Sequence, residues 1–291
     1  MGKIINMGSD GGIDRGVSLS ASGIAGGPSL GGSDFDFSKA SPAPPPTPVS
    51  MSLYLAGRTP AYLYRFFQLS PTAVAVQVGD PSVGWGIGDS GIRGIAYHAG
   101  TNVMWACSPD NELMKVNYGT GVATPLAGAV ANFGVGETKP AGLTFLGDTM
   151  YMLGNSTNAL YSVDISDGSA TEVADLNETV VRNVGGCAAD EDAGRIYIVE
   201  NNTDTLHYIV LGDEFVTYSS ALLNGVNNPQ GLAFHDGVLY CLDPQDDRLY
   251  TVNLTTGVAT IVPGNAGFGA ALGGVDVTDS AGLVSAPTTA P

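Results

Sequence analysis

From Ser52 onward the apolar residues fall in short runs rich in Val, Ile, Leu and Tyr, and Gly, Asn, Asp and Pro bound each run. That pattern predicts short β-strands joined by tight turns. Three residue series keep phase along it. Five triplets open on glycine: Gly94-Ile95-Ala96, Gly142-Leu143-Thr144, Gly186-Cys187-Ala188, Gly231-Leu232-Ala233 and Gly274-Val275-Asp276, at spacings of 48, 44, 45 and 43 residues. A second series places an aromatic residue in an apolar strand, at Tyr54, Trp105, Tyr151, Tyr197 and Tyr240. A third reads Leu-x-x-apolar and starts at Leu63, Leu113, Leu160, Leu206 and Leu249. Polar turns fill the gaps between the second and third series, at Asp110-Asn111, Asn155 to Asn158, Asn201 to Asp204 and Gln245 to Asp247. In three copies a further turn ends on Gly121, Gly168 or Gly257, and an outer strand such as Val122-Ala123-Thr124 or Val258-Ala259-Thr260 follows it.

Each repeat therefore holds four short antiparallel strands in about 45 residues, the length and content of a β-propeller blade. The stretch Leu239-Tyr240, Leu249-Tyr250-Thr251-Val252-Asn253, Thr256-Gly257-Val258-Ala259-Thr260 resembles the repeat of propellers of the NHL and related, non-WD kind. The resemblance spans about residues 52–278 and lacks the Trp-Asp and Gly-His marks of WD40 repeats. It implies a fold and leaves the function open, because propellers host enzymes, lectins and scaffolds alike. The expected fold is all-β: a five-bladed β-propeller of four-stranded antiparallel blades. The first strand of the body, Ser52 to Ala56, has no inner strand before it, and the last glycine triplet has no blade after it. Residues 273–278 are thus expected to close the ring beside residues 52–56 and to remove the open edges. The expected organisation is an extended N-terminal arm and linker over 1–50, a propeller over 51–279 and a tail over 280–291.

Composition sharpens this picture. Glycine accounts for 41 of 291 residues, which suits many tight turns and excludes a coiled coil. Lys and Arg total 11 against 28 Asp and Glu, a net charge of −17. Like charge makes phosphate backbones and anionic membranes poor partners, so no nucleic acid is expected. No run of about 18 apolar residues exists, so no membrane insertion is expected. The N-terminus shows only the short apolar pair Ile4-Ile5, which predicts no secretory leader. Cys107, Cys187 and Cys241 are odd in number and lack CxxC spacing, against a disulfide framework or zinc site. Synthesis in a reducing cytoplasm is the expectation, with the sequons at Asn155, Asn177, Asn201 and Asn253 serving as plain turns.

Candidate chemistry is sparse. His98 and His235 each stand four residues after an inner-strand glycine, on blades that are not neighbours, and His207 lies in a third-series strand. Surface or packing roles are expected for all three. Asp190-Glu191-Asp192 and Asp243, Asp246, Asp247 form acidic turns that could attract calcium but read more simply as solvated turns. Asp10 and Asp14 are a weaker pair of the same kind. Glycoside hydrolysis needs two carboxylates, and Asp276 is the only one in the five triplets. No catalytic residue, metal or cofactor is assigned. The most suggestive feature is an aromatic residue before glycine in three of the connections between blades: Trp85-Gly86, Phe133-Gly134 and Phe268-Gly269. An aromatic ring can stack on a sugar while amides and carboxylates bind its hydroxyls. Asp89, Glu137, Asn228 and Asn265 are the polar candidates nearby. The competing expectation is that these rings wedge between blades as core.

Residues 1–50 cannot build a core. Ten glycines fall within 1–33, and Pro42, Pro44, Pro45, Pro46 and Pro48 follow. Their scattered apolar residues, Ile4, Ile5, Met7, Ile13, Leu19, Leu30, Phe35 and Phe37, suit pockets on a neighbour. The expected role is a non-enzymatic structural and display protein of a virion or other large assembly. Residues 1–50 would bind its other structural proteins within a homo- or hetero-oligomer, and the propeller would serve for host attachment. The alternative is a soluble lectin in the cytoplasm.

Overall fold

The computed structural model describes residues 51–59, 63–68, 74–78, 92–108, 112–137, 139–176, 183–211, 218–221, 226–246, 248–262 and 279–287. They form five four-stranded antiparallel sheets, and the chain is a five-bladed β-propeller. Blade 1 holds β1 (Met51–Thr59), β2 (Leu63–Gln68) and β3 (Val74–Val78). Blade 2 holds β4 (Gly94–His98), β5 (Val103–Cys107), β6 (Leu113–Val116) and β7 (Ala123–Pro125). Blade 3 holds β8 (Pro140–Leu146), β9 (Thr149–Gly154), β10 (Ala159–Val163) and β11 (Ala170–Asp175). Blade 4 holds β12 (Val184–Asp190), β13 (Arg195–Glu200), β14 (Thr205–Val210) and β15 (Tyr218–Ala221). Blade 5 holds β16 (Gly231–His235), β17 (Val238–Asp243), β18 (Arg248–Val252) and β19 (Ala259–Ile261). The last strand, β20 (Asp279–Pro287), returns to blade 1 and pairs with β1 as its innermost strand. Among the described residues no helix is long and apolar enough to cross a membrane.

The principle of closure holds, but the strand is a different one. Residues 273–278 were expected beside β1; instead the residue pairs run from Met51↔Pro287 to Thr59↔Asp279. Residues 280–287 are therefore ring strand and not tail. Register identifies the fifth glycine triplet. Ala96 lies opposite Trp105, Thr144 opposite Tyr151, Ala188 opposite Tyr197 and Ala233 opposite Tyr240. The residue opposite Tyr54 is Val284. The fifth triplet is thus Gly282-Leu283-Val284, and Gly274-Val275-Asp276 lies outside the described residues. Tyr54 also donates its hydroxyl to the carbonyl of Pro287 at 2.7 Å, which fastens the end of β20.

Five apolar clusters make the core, one between each pair of adjacent blades. Side chains alternate along each inner strand, as the strand period requires. Ile95, Leu143, Cys187, Leu232 and Leu283 face the preceding blade, and Ala96, Ala188, Ala233 and Val284 face the following one. The inner-strand glycines allow the strands to converge. A methyl group on Gly94 would lie 2.9 Å from the backbone of Gly142, and one on Gly142 would lie 2.9 Å from the Cys187 nitrogen.

Candidate functional site

Strand direction gives the ring two faces. One carries the turns between second and third strands together with the connections arriving from the previous blade. Of the aromatic-loop candidates, Phe133, Glu137 and Asn228 belong to this face. Trp85, Asp89, Asn265 and Phe268 lie outside the described residues, as do the arm residues Ile4, Ile5, Met7, Ile13, Phe35 and Phe37. Phe133 sits in a 3₁₀ turn, Ala131–Gly134. Its ring is 1% exposed and packs between blades 2 and 3 with Trp105, Cys107 and Leu143. Its backbone adopts φ 55°, a left-handed conformation that costs a bulky residue roughly 1–2 kcal/mol. Burial of the ring, at ~1.5–3 kcal/mol, offsets that strain. So placed, Phe133 is a wedge between blades with no face free for a sugar.

Glu137 is fully buried and serves as a staple. One carboxylate oxygen accepts the backbone N–H of Ser156 at 3.2 Å, the Lys139 N–H and the Ser156 hydroxyl. The other accepts the Thr157 N–H at 3.2 Å and the Thr157 hydroxyl at 2.6 Å. The incoming connection of blade 3 is thereby tied to the turn between β9 and β10. Burial pushes the carboxyl pKa up, but the bonds from Ser156, Thr157 and Lys139 outweigh it and hold the group below its ordinary value. Asp243 does the same work in blade 5. It accepts the N–H groups of Asn227 and Asn228 at 2.8 and 3.4 Å, and those of Gln245 and Asp246 at 2.9 and 3.1 Å. Half-buried Asn228 is thus fixed by its backbone, and it lies in a different connection from Phe133 and Glu137.

Replacing Glu137 by Gln keeps the size but removes the charge and one acceptor oxygen. Unpaired buried donors cost ~1–3 kcal/mol each, so a loss of at least ~2 kcal/mol is expected, or ~4–8 °C in melting temperature. The sign with pH follows from the lowered pKa: the Glu137 contribution is complete above the ordinary carboxylate range and is lost as pH falls through the lowered value. Thermal melting of wild type and Glu137→Gln should therefore differ most near neutral pH and converge in acid. A constant gap down to strongly acid pH would show that the charge is not the source.

The opposite face carries the turns between first and second strands. Here the inner strands surround a cavity of about 350 Å³ on the propeller axis. Its floor is the ring of Ile95, Leu143, Cys187, Leu232 and Leu283, where a space of about 10 Å³ is left, about the volume one water needs. Tyr97, Phe145 and Phe234 stand in its walls, and Asp190, Glu191 and Asp192 lie at its edge. No motif points to this cavity, because its residues meet only when five distant strands close into a ring.

The cysteines and histidines are committed to the fold. The three cysteines are free and buried. Burial pushes the Cys107 thiol up to about 12, and raises Cys187 and Cys241 as well, so none is a nucleophile at neutral pH. His98 and His235 clasp the next blade. His98 Nδ1 meets the Thr101 hydroxyl at 2.8 Å, its Nε2 meets Asp148 at 3.1 Å, and its ring stacks on Phe145 at 4.6 Å. His235 Nδ1 meets the Ser285 hydroxyl of β20 at 2.9 Å. His207 lies 3.4 Å from Glu200 inside blade 4, and burial lowers its pKa against the opposing pull of that carboxylate.

No protein-family model matches the chain, and no curated protein matches it in sequence. Solved structures match its architecture. One chain in the crystal structure of a nidogen/laminin complex aligns with 82% of this chain and 100% of its own length, at 11% identity and a TM-score of 0.54. Virginiamycin B lyase from Staphylococcus aureus, in an inactive form with quinupristin, aligns with 71% of this chain and 64% of its own, at 15% identity and a TM-score of 0.43. Glutaminyl cyclase from Myxococcus xanthus aligns with 67% of this chain and 70% of its own, at 13% identity and a TM-score of 0.43. At such identities the likeness concerns the propeller fold alone.

Proposed function

We propose that this propeller is a non-enzymatic display module of a large assembly, with a virion as the setting. Residues 1–50 anchor it to other structural proteins, and the blades face outward for attachment to a host surface. The observation that carries this reading is the use of the reactive groups. Glu137 and Asp243 are saturated by turn N–H and hydroxyl groups, His98 and His235 join blades, and the thiols are enclosed. A general acid or base must reach a substrate proton, and these groups are turned to the fold instead. The composition of residues 1–50 supports the anchoring part, since glycine- and proline-rich chain needs a partner to gain order. Glycan binding through the aromatic loops rests on Trp85, Asp89, Asn265 and Phe268, because Phe133 and Glu137 are enclosed.

Deleting residues 1–40 should leave the melting temperature of the propeller unchanged and abolish incorporation into the particle. Thermal melting and particle occupancy of the deleted and full chains test this. Incorporation of the deleted chain at wild-type occupancy would contradict the anchoring role.

A further inference from the structure

The cavity on the axis has a chemistry that the anchoring role of residues 1–50 does not use. Its volume of about 350 Å³ falls at the small end of the range taken by small-molecule sites. A small space of about 10 Å³ lies at the floor ring. Its lower walls are apolar and aromatic. Two buried polar residues among those that line it have bonding capacity left. Thr144 is 9% exposed, and its oxygen accepts the Ala189 N–H at 2.9 Å. Among the described residues its own hydroxyl proton meets no acceptor. Cys187 is 4% exposed at the floor, and among the described residues its thiol meets no acceptor either.

The mouth is acidic. Asp190 is half-buried and uses one oxygen to accept the Ala193 N–H at 3.1 Å, while Glu191 and Asp192 are exposed. Asp148 and Asp236 lie in the corresponding turns of blades 3 and 5, beside His98 at 3.1 Å and His235 at 3.6 Å. Among the described residues that line the cavity there is no lysine or arginine. Arg195 lies opposite Asp190 across β12 and β13 and interacts with that carboxylate, and its guanidinium sits 4.6 Å above the Tyr208 ring, so the uncompensated charge at the mouth is that of Glu191 and Asp192. Carboxylates around a low-dielectric cleft focus a negative potential into it. The net charge of −17 adds to that field.

We propose that this cavity is a binding site for an organic ammonium ion. The apolar body enters between Tyr97, Phe145 and Phe234, and the ammonium group stays at the mouth against Asp190, Glu191 and Asp192. The site is distinct from Phe133 and Glu137, which belong to the other face of the ring.

Calorimetric titration of the full chain with phenethylammonium, 3-phenylpropionate and 2-phenylethanol, in about 0.02 M salt, tests the proposal. Phenethylammonium should bind one per chain with a Kd of about 1 mM, the range open to so small a probe. The anionic twin should bind at least about tenfold more weakly, because its charge is repelled at the mouth. The double variant Glu191→Gln, Asp192→Asn changes only exposed side chains. It should weaken phenethylammonium about fivefold and leave 2-phenylethanol unaffected. Ala189→Phe fills the wall and should abolish binding of both. Should that variant melt early, Ala99→Trp blocks the mouth from an exposed turn. Equal binding of cation and anion, an unaffected double variant, binding that survives both blocking variants, or no saturable binding of phenethylammonium would each overturn the proposal.

Discussion

Truncation after Thr278 is expected to abolish cooperative folding, whereas truncation after Pro287 is expected to leave the melting temperature unchanged. The first change removes β20, which is the innermost strand of blade 1. β1 then loses its partner along the pairs from Met51↔Pro287 to Thr59↔Asp279 and exposes an edge at the centre of the molecule. Leu283 leaves the interface of blades 5 and 1, and Val284 and Ala286 leave that of blades 1 and 2. Burying a Leu or Val side chain is worth ~1.5–3 kcal/mol, and each lost backbone hydrogen bond adds ~0.5–1.5 kcal/mol. Summed over one strand, the loss reaches the ~5–15 kcal/mol that holds a whole domain folded. A chain ending at Thr278 that melted like wild type would mean that another segment closes the ring.

Gly186→Ala is expected to destabilise the propeller more than the same substitution at the open turn glycine Gly237. The added methyl would lie 2.4 Å from the Gln230 carbonyl oxygen and 3.3 Å from the Gly231 Cα, both backbone atoms of the neighbouring inner strand. A side chain could rotate away, but a strand in a closed ring moves only by pushing its neighbours. Overpacking of this kind costs ~1–3 kcal/mol and sometimes more, which corresponds to a fall of at least ~3–10 °C in melting temperature. Gly237 is the control. A methyl there meets nothing within 4 Å, so only its φ of 73° opposes the change, at ~1–2 kcal/mol. Thermal melting should rank Gly186→Ala below Gly237→Ala. The reverse order would show that the inner strands are not in contact at Gly186.

The blade count was legible because Trp105, Tyr151, Tyr197 and Tyr240 repeat the same place opposite an inner strand, with Tyr54 as the fifth. The closing strand was misplaced by spacing. Gly274 keeps the 43-residue interval from Gly231, whereas the true partner, Gly282, comes 51 residues after it. Interval alone ranks these wrongly, and only pairing of Val284 with Tyr54 decides. Glu137 drew attention as a polar residue near an aromatic one, but its role depends on Ser156 and Thr157 in the β9–β10 turn some twenty residues on, a link that no local pattern displays. Phe133 could be read as stacking platform or wedge, and its enclosure by blade 3 settles the role of that ring. Asp190-Glu191-Asp192 reads as a solvated turn in isolation. Its position at the mouth of an apolar cavity follows from ring closure.

Native-state hydrogen exchange of the full chain, followed peptide by peptide, tests the closed ring most directly. Strand amides paired in the core exchange only through global opening. If β20 closes the ring, the amides of 279–287 should exchange as slowly as those of 51–59 and 231–235, and all three should accelerate together with denaturant. Exchange of 279–287 at the rate of an unstructured tail, while 51–59 stays protected, would contradict it.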